Sequence, residues 1–170
     1  AGPRTPAPFL IGAARSGTTL LATMLDGHSE LKMLHETSFV PGLAEMIRSE
    51  PMTVERVIKV MAAAGALEAH GVSEREIRKR LSELDDLKAA AVLRAFYDAS
   101  AEAADKPRWG DNAPSYLKRM RRIQRALTEA RFVHVVRDGR DTLAARPTEM
   151  NVGAAIATGQ RWTKKVRSAQ

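Results

Sequence analysis

Between Gly12 and Thr19 the chain carries two glycines, an arginine and three hydroxyl side chains, directly after the apolar run Phe9-Leu10-Ile11 and directly before a helix-forming stretch. That order is suited to holding an anion. Glycines allow a tight turn without a Cβ in the way, so successive N–H groups can converge at the positive end of the following helix. The spacing follows the phosphate-binding pattern G-x-x-x-x-G-K-[ST], except that Thr18 stands where the lysine belongs. A nucleoside triphosphatase needs that lysine near the β- and γ-phosphates, whereas here the cation comes earlier, at Arg15. The expected anion is therefore not a triphosphate.

Three further polar clusters occur where apolar segments end: His35-Glu36-Thr37, Gly110-Asp111-Asn112-Ala113-Pro114 and Arg137-Asp138-Gly139-Arg140-Asp141. If each segment is a parallel strand, all four loops lie on one sheet edge, where α/β proteins bind ligands. Two arginine-bearing loops there suit a ligand with two separated anionic groups, which arginine can grip bidentately.

The elements that would position these loops alternate along the chain. Phe9 to Ile11 reads as a buried strand, Thr18 to Leu25 as the helix after it, ended by Asp26-Gly27, and Leu31 to Leu34 as a second strand. From about 43 to 105 the pattern is helical only: Val54, Val57, Ile58 and Met61 recur at helical spacing, Ser73 to Glu76 forms a capping box ahead of Ile77 and Leu81, and a third helix covers roughly Asp86 to Ala103. Pro107 to Gly110 returns to the sheet. The continuous apolarity of Arg131 to Arg137 predicts a parallel strand covered on both faces. The fold class is α/β, a P-loop-like parallel sheet flanked by helices with an inserted helical subdomain, and 1–170 reads as a single domain.

Composition narrows the partners. The formal charge of +7 favours anionic ligands. Lys118 to Arg125 is the densest basic run, a helix with Leu117, Met120, Ile123 and Leu127 on its apolar side; its charges read as a solvated face, without interleaved aromatics for stacking bases, so nucleic acid is not the expected partner. Cysteine is absent, and no apolar run approaches the roughly 20 residues that span a bilayer. These features point to a cytoplasmic protein with no membrane partner. Trp109 and Trp162 read as packing residues, and His28, just past a helix end, as structural.

The segments Ile11 to Leu21, Met24 to His28, His35-Glu36-Thr37 and Phe132 to Asp141, taken in this order and separation, resemble the sulfotransferases that use 3′-phosphoadenosine 5′-phosphosulfate (PAPS), in particular the tyrosylprotein enzymes and related bacterial ones. The resemblance covers Phe9 to about Thr37 and Trp109 to Arg146. It implies a 5′-phosphosulfate loop made of Arg15, Ser16, Gly17, Thr18, Thr19 and Leu20, with Arg15 facing the transferring group. It implies that Glu36, 21 residues beyond Arg15, is the general base, and that Arg137 binds the 3′-phosphate. PAPS would be the donor and PAP the product, no metal would be required, and the acceptor would be a small-molecule or peptidyl hydroxyl.

Two positions depart from the family pattern. Asn112 stands where many relatives carry a lysine that stabilises the leaving phosphate, and Ala145 where a serine is usual, eight residues after Arg137. Similar enzymes also continue with further strands and a cofactor-binding loop, so part of the family fold is expected to lie beyond these 170 residues. A non-catalytic module that binds PAP or another nucleotide, and a P-loop nucleotide kinase, stand as the alternative readings.

Overall fold

A computed structural model describes residues 4–35, 37–145 and 152–168. Its centre is a four-stranded sheet, β1 (Ala7–Gly12), β2 (Leu31–His35), β3 (Arg108–Asn112) and β4 (Ala130–Val135), in the order β2-β3-β1-β4. Every pairing is parallel, so each connection must cross over, and helices do the crossing. Helix α1 (Thr18–Asp26) links β1 to β2. Helices α2 (Val40–Ser49), α3 (Val54–Ala63), α4 (Ala66–Ala69), α5 (Glu74–Ser82) and α6 (Ala89–Glu102) fill the long excursion from β2 to β3.

Local sequence explains several boundaries. Thr53 and Ser73 sit in extended conformation at the starts of α3 and α5, and their side chains accept the amides of Arg56 and Glu76. The expected capping box is half realised, because Glu76 turns away to pair with Arg80 at 2.6 Å. Past α1, the Lys106 ammonium binds the carbonyls of Asp26 and Leu31, tying the helix end to the start of β2.

The sheet and the long helical excursion share one core. Phe9, wholly buried in β1, has the rings of Tyr97, Trp109, Tyr116 and Phe132 around it at centroid distances of 5.7–6.2 Å. Tyr97 of α6 stacks on Trp109 of β3 at 4.3 Å, and the Trp109 indole donates to Asp98 at 2.8 Å. Both confirm Trp109 as a packing residue. Arg94 of α6 makes a bidentate pair with Glu129, whose carboxylate is almost fully buried at the entrance to β4.

Three sequence expectations need correction. Strand β4 is the sheet edge among the described residues and is not covered on both faces: Val133 is 43% exposed. Its apolar run reflects one buried face and one open one. The basic run is not one helix; a 3-10 turn (Pro114–Lys118) precedes helix α7 (Met120–Ala126), with Arg119 leaving helical geometry between them, although Leu117, Ile123 and Leu127 are buried as the pattern required. Gly110, Asp111 and Asn112 belong to β3 itself rather than to a loop, and Asp111 is completely buried. Beyond β4 follow helix α8 (Gly139–Ala144) and helix α9 (Val152–Arg167). No described helix is long and apolar enough to cross a membrane.

Candidate functional site

The carboxyl ends of the four strands bring three of the polar clusters, and the flanks of the fourth, to one edge. The loop after β1 is the most specialised of them. Arg15 (φ 68°) and Gly17 (φ 95°) are both left-handed and bracket Ser16, and turns of this kind present successive N–H groups to one point. The non-glycine Arg15 holds this conformation at some cost, which is common where a backbone serves a ligand. The first amides of α1, beginning at Thr18, lack intrahelical partners and add to the same positive end.

The fit of an anion here depends on what is missing from the glycines. A Cβ on Gly12 would lie 2.7 Å from the carbonyl oxygen of Val135 in the paired strand, so only glycine lets β1 run beside β4 into the turn. A Cβ on Gly17 would meet nothing within 4 Å, which leaves open space at the mouth of the turn. Ser16 turns its hydroxyl back to donate to the Ala13 carbonyl at 2.7 Å, and Thr18 is buried, while Thr19 and Leu20 are exposed at the start of α1. The hydroxyl of Ser16 thus braces the loop.

The loop after β4 leans on this one. Arg137 Nη1 donates to the Arg15 carbonyl at 3.4 Å, and Arg15 Nε donates to the Ala145 carbonyl at 2.9 Å. Asp141 is only a distant partner for Arg137, at 3.9 Å. Asp138 caps α8 through the Arg140 amide and pairs with the Arg140 side chain, which holds its carboxyl at about 2. Trp162 of α9 closes the loop from outside. Its indole donates to the Arg137 carbonyl at 3.1 Å, and its ring lies where a Cβ on Gly139 would come within 3.2 Å.

At the other side of the edge, His35 and Asn112 are register partners, with 3.3 Å between His35 Nδ1 and Asn112 Nδ2. Thr37, Asp111, Tyr97 and Tyr116 form a wholly buried polar cluster behind them, which sequence reasoning missed. Burial raises the Asp111 carboxyl to about 6, against the hydrogen bonds that favour its charge. Glu36 lies outside the described residues, between His35 and Thr37 in the chain. His28 is structural as expected, its Nδ1 accepting the Glu30 amide at 3.1 Å.

The opposite, amino-terminal edge of the sheet has a cavity of about 310 Å³ lined by both signs of charge: Arg94 pairs with Glu129, Asp98 accepts from Trp109, Arg108 donates to the Pro6 carbonyl, and Arg4 lies beside them. The carboxyl edge, where two arginines stand beside the turn after β1 and the amino end of α1, is the better anion site, since the cavity at the other edge carries the carboxylates of Asp98 and Glu129 in its wall.

Comparison with known proteins gives the family and the fold. A sequence model of the sulfotransferase family matches residues 6–170. Protein-tyrosine sulfotransferase 1 of Homo sapiens is 28% identical over 135 residues, covering 79% of this chain and 32% of that protein. Protein-tyrosine sulfotransferase 2 of Gallus gallus is 30% identical over 139 residues, with 79% and 32% covered. The chain thus spans about a third of the length of the curated relatives it matches. Among solved structures, the sulfotransferase domain from the curacin biosynthetic pathway superposes with a TM-score of 0.55 at 21% identity, over 98% of this chain and 62% of that one, which is a likeness of fold.

Proposed function

The chain belongs to the sulfotransferase family, and from that premise we propose that its carboxyl-edge site binds PAPS and moves the sulfuryl group to a hydroxyl acceptor, releasing PAP. The donor brings a sulfur already activated by its phosphate leaving group. What remains for the protein is binding, alignment and charge.

In this reading the amides of residues 15 and 17–20 hold the 5′-phosphate, the Ser16 amide being turned back to the Ala13 carbonyl at 3.2 Å, and Arg137 holds the 3′-phosphate. Glu36 takes the proton of the acceptor hydroxyl as its oxygen attacks sulfur in line. Arg15 and the loop amides stabilise the negative charge that grows on the departing phosphate, the electrostatic work that magnesium does for triphosphates. The observation that supports this reading is the contact between two cationic loops, Arg137 on the Arg15 carbonyl and Arg15 on the Ala145 carbonyl, which puts two arginines side by side for a ligand with two anionic groups. The tyrosine acceptor in the relatives' names makes a peptidyl tyrosine the first acceptor to try, ahead of small phenols and alcohols.

A second reading, a PAP-binding module without transfer, is favoured by one feature: Asn112 offers no charge at the edge and is occupied with His35. Incubation of the purified protein with sulfur-labelled PAPS and a tyrosine peptide separates the two. Labelled peptide and PAP support the transferase; PAP binding without consumption of PAPS supports the module; no affinity for PAP rejects both.

A further inference from the structure

The carboxyl end of β3 supplies two consecutive polar residues, and each grips the chain on a different side of position 36. Asn112 faces His35 in register, side chain to side chain. Asp111, one residue earlier, accepts at Oδ2 from the hydroxyl of Thr37 and, at 2.6 Å, from the phenol of Tyr97. Tyr116 completes the grip. Its hydroxyl lies 2.7 Å from Thr37 Oγ1 and donates to the Thr37 carbonyl, which also accepts the Val40 amide at 2.9 Å. Thr37 is therefore fixed through both side chain and main chain by β3, α6 and the 3-10 turn.

Fold stability alone does not account for this cluster. A carboxylate and two phenols buried beside the aromatic core must lose their water, and apolar residues of the same volume would fill the space without that cost. Moreover, Asp111 Oδ1 has no hydrogen-bond partner. What a polar cluster supplies, and an apolar one does not, is a single defined position for the segment it binds.

We propose that Asp111, acting with Tyr97 and Tyr116 through Thr37, is a positioning residue for the reaction, because it holds Thr37, the residue that follows the base Glu36 in the chain. The inference rests on the reading of Glu36 as the general base. It also gives the long helical excursion a part in the chemistry, because Tyr97 comes from α6. General-base catalysis depends on hydrogen-bond contact, and misplacement by about 1 Å can cost on the order of 10²-fold in rate.

The test uses Thr37→Val, which removes the hydroxyl at nearly constant shape, Thr37→Ser, which restores it, and both again in a Glu36→Gln background. Turnover is followed as PAP formed from PAPS with a tyrosine peptide present. Thr37→Val should lower kcat by about 10–100-fold with the KM for PAPS unchanged. Thr37→Ser should recover most of the loss, and Thr37→Val should cost nothing further in the Glu36→Gln background. A full additional loss in that background overturns the positioning role while leaving Glu36 as base; Glu36→Gln at the parent rate removes the base and this inference with it. Amide exchange over residues 35–40 is the readout independent of any acceptor. Faster exchange confined to that segment in Thr37→Val supports the inference, and unchanged exchange overturns it.

Discussion

Arg137 donates to the main-chain carbonyl of Arg15 although 122 residues separate them in the chain. The contact binds the loop after β4 to the loop after β1, across the pair of strands that Gly12 allows to run side by side. Arg15 in turn reaches the Ala145 carbonyl, so each arginine braces a backbone segment carried by the other loop or the helix after it. Arg15→Ala should therefore do two things: lose sulfuryl transfer through the missing charge, and weaken PAP binding through the loosened loop. Calorimetric titration of PAP, set beside PAPS turnover, separates the two effects.

Glu36→Gln keeps size and hydrogen-bonding capacity but cannot take a proton. Transfer from labelled PAPS should fall by on the order of 10²–10⁴-fold while PAP affinity stays at the parent value. Transfer at the parent rate would move the base to another residue, with His35 the nearest described alternative.

Gly12→Ala tests the close approach of β1 to β4. The added Cβ would press on the Val135 carbonyl, a main-chain atom in a paired strand that cannot swing aside. A loss of about 1–3 kcal/mol in denaturant unfolding is expected, together with weaker PAP binding. An unchanged unfolding midpoint would show that the strands separate more easily than the structure indicates.

The pair Arg94–Glu129 fastens α6 to the start of β4, and the Glu129 side chain is only 3% exposed. Arg94→Met leaves that carboxylate buried with no cation and only the Thr128 hydroxyl at 3.5 Å, and should cost about 3–5 kcal/mol. Adding Glu129→Gln should recover much of the loss, since the unpaired charge is what destabilises. Equal stability of the single and double variants in urea melts would contradict this.

Asp111 and His70 should bend the pH profile of stability in opposite directions. Burial raises the Asp111 carboxyl to about 6, so the folded chain keeps a proton that the unfolded chain, near about 3.9, releases. Its contribution is greatest below about 4 and is lost as pH rises towards about 6. Burial lowers His70, which lies edge-on to Phe96, to about 4, against about 6.5 when unfolded. Its contribution is full above about 6.5 and is lost as pH falls. The excess melting temperature of the parent over Asp111→Asn should thus be larger at about pH 4.5 than at about pH 6.5, and that over His70→Phe should be smaller. Differences that do not vary with pH would contradict both assignments.

What the sequence made legible was whatever has a local cause. The turn after β1 announces itself through Gly12, Gly17 and the hydroxyls between strand and helix, and Ser73 marks the start of α5 by its own capping bond. Strand β3 showed itself only in part: a return to the sheet was expected at Pro107 to Gly110, and the strand runs on through Asp111 and Asn112. Its residues Arg108-Trp109-Gly110-Asp111-Asn112 lack an apolar run, and they form a strand because β1 and β2 pair with them on both sides. The cluster of Thr37, Tyr97, Asp111 and Tyr116 was invisible for the same reason: each residue alone is an ordinary loop hydroxyl, core aromatic or strand-end carboxylate, and only the insertion of β3 between β1 and β2 brings them together. The open face of β4 was misjudged because an apolar run reports the chemistry of a strand without reporting its neighbours.

The most direct test of the account is a calorimetric comparison of PAP with AMP, on the parent protein and on Arg137→Ala. The two ligands share the 5′-phosphate and adenosine and differ in the 3′-phosphate, which is the group assigned to Arg137. Charge-assisted bonds to such a group contribute roughly 1.5–3 kcal/mol, which corresponds to about 10–150-fold in affinity. The parent should bind PAP more tightly than AMP by about this factor, and Arg137→Ala should lose most of the difference while binding AMP as before. Equal affinities of the parent protein for PAP and AMP would contradict a dedicated 3′-phosphate site, and with it the assignment of the carboxyl edge as a PAPS site.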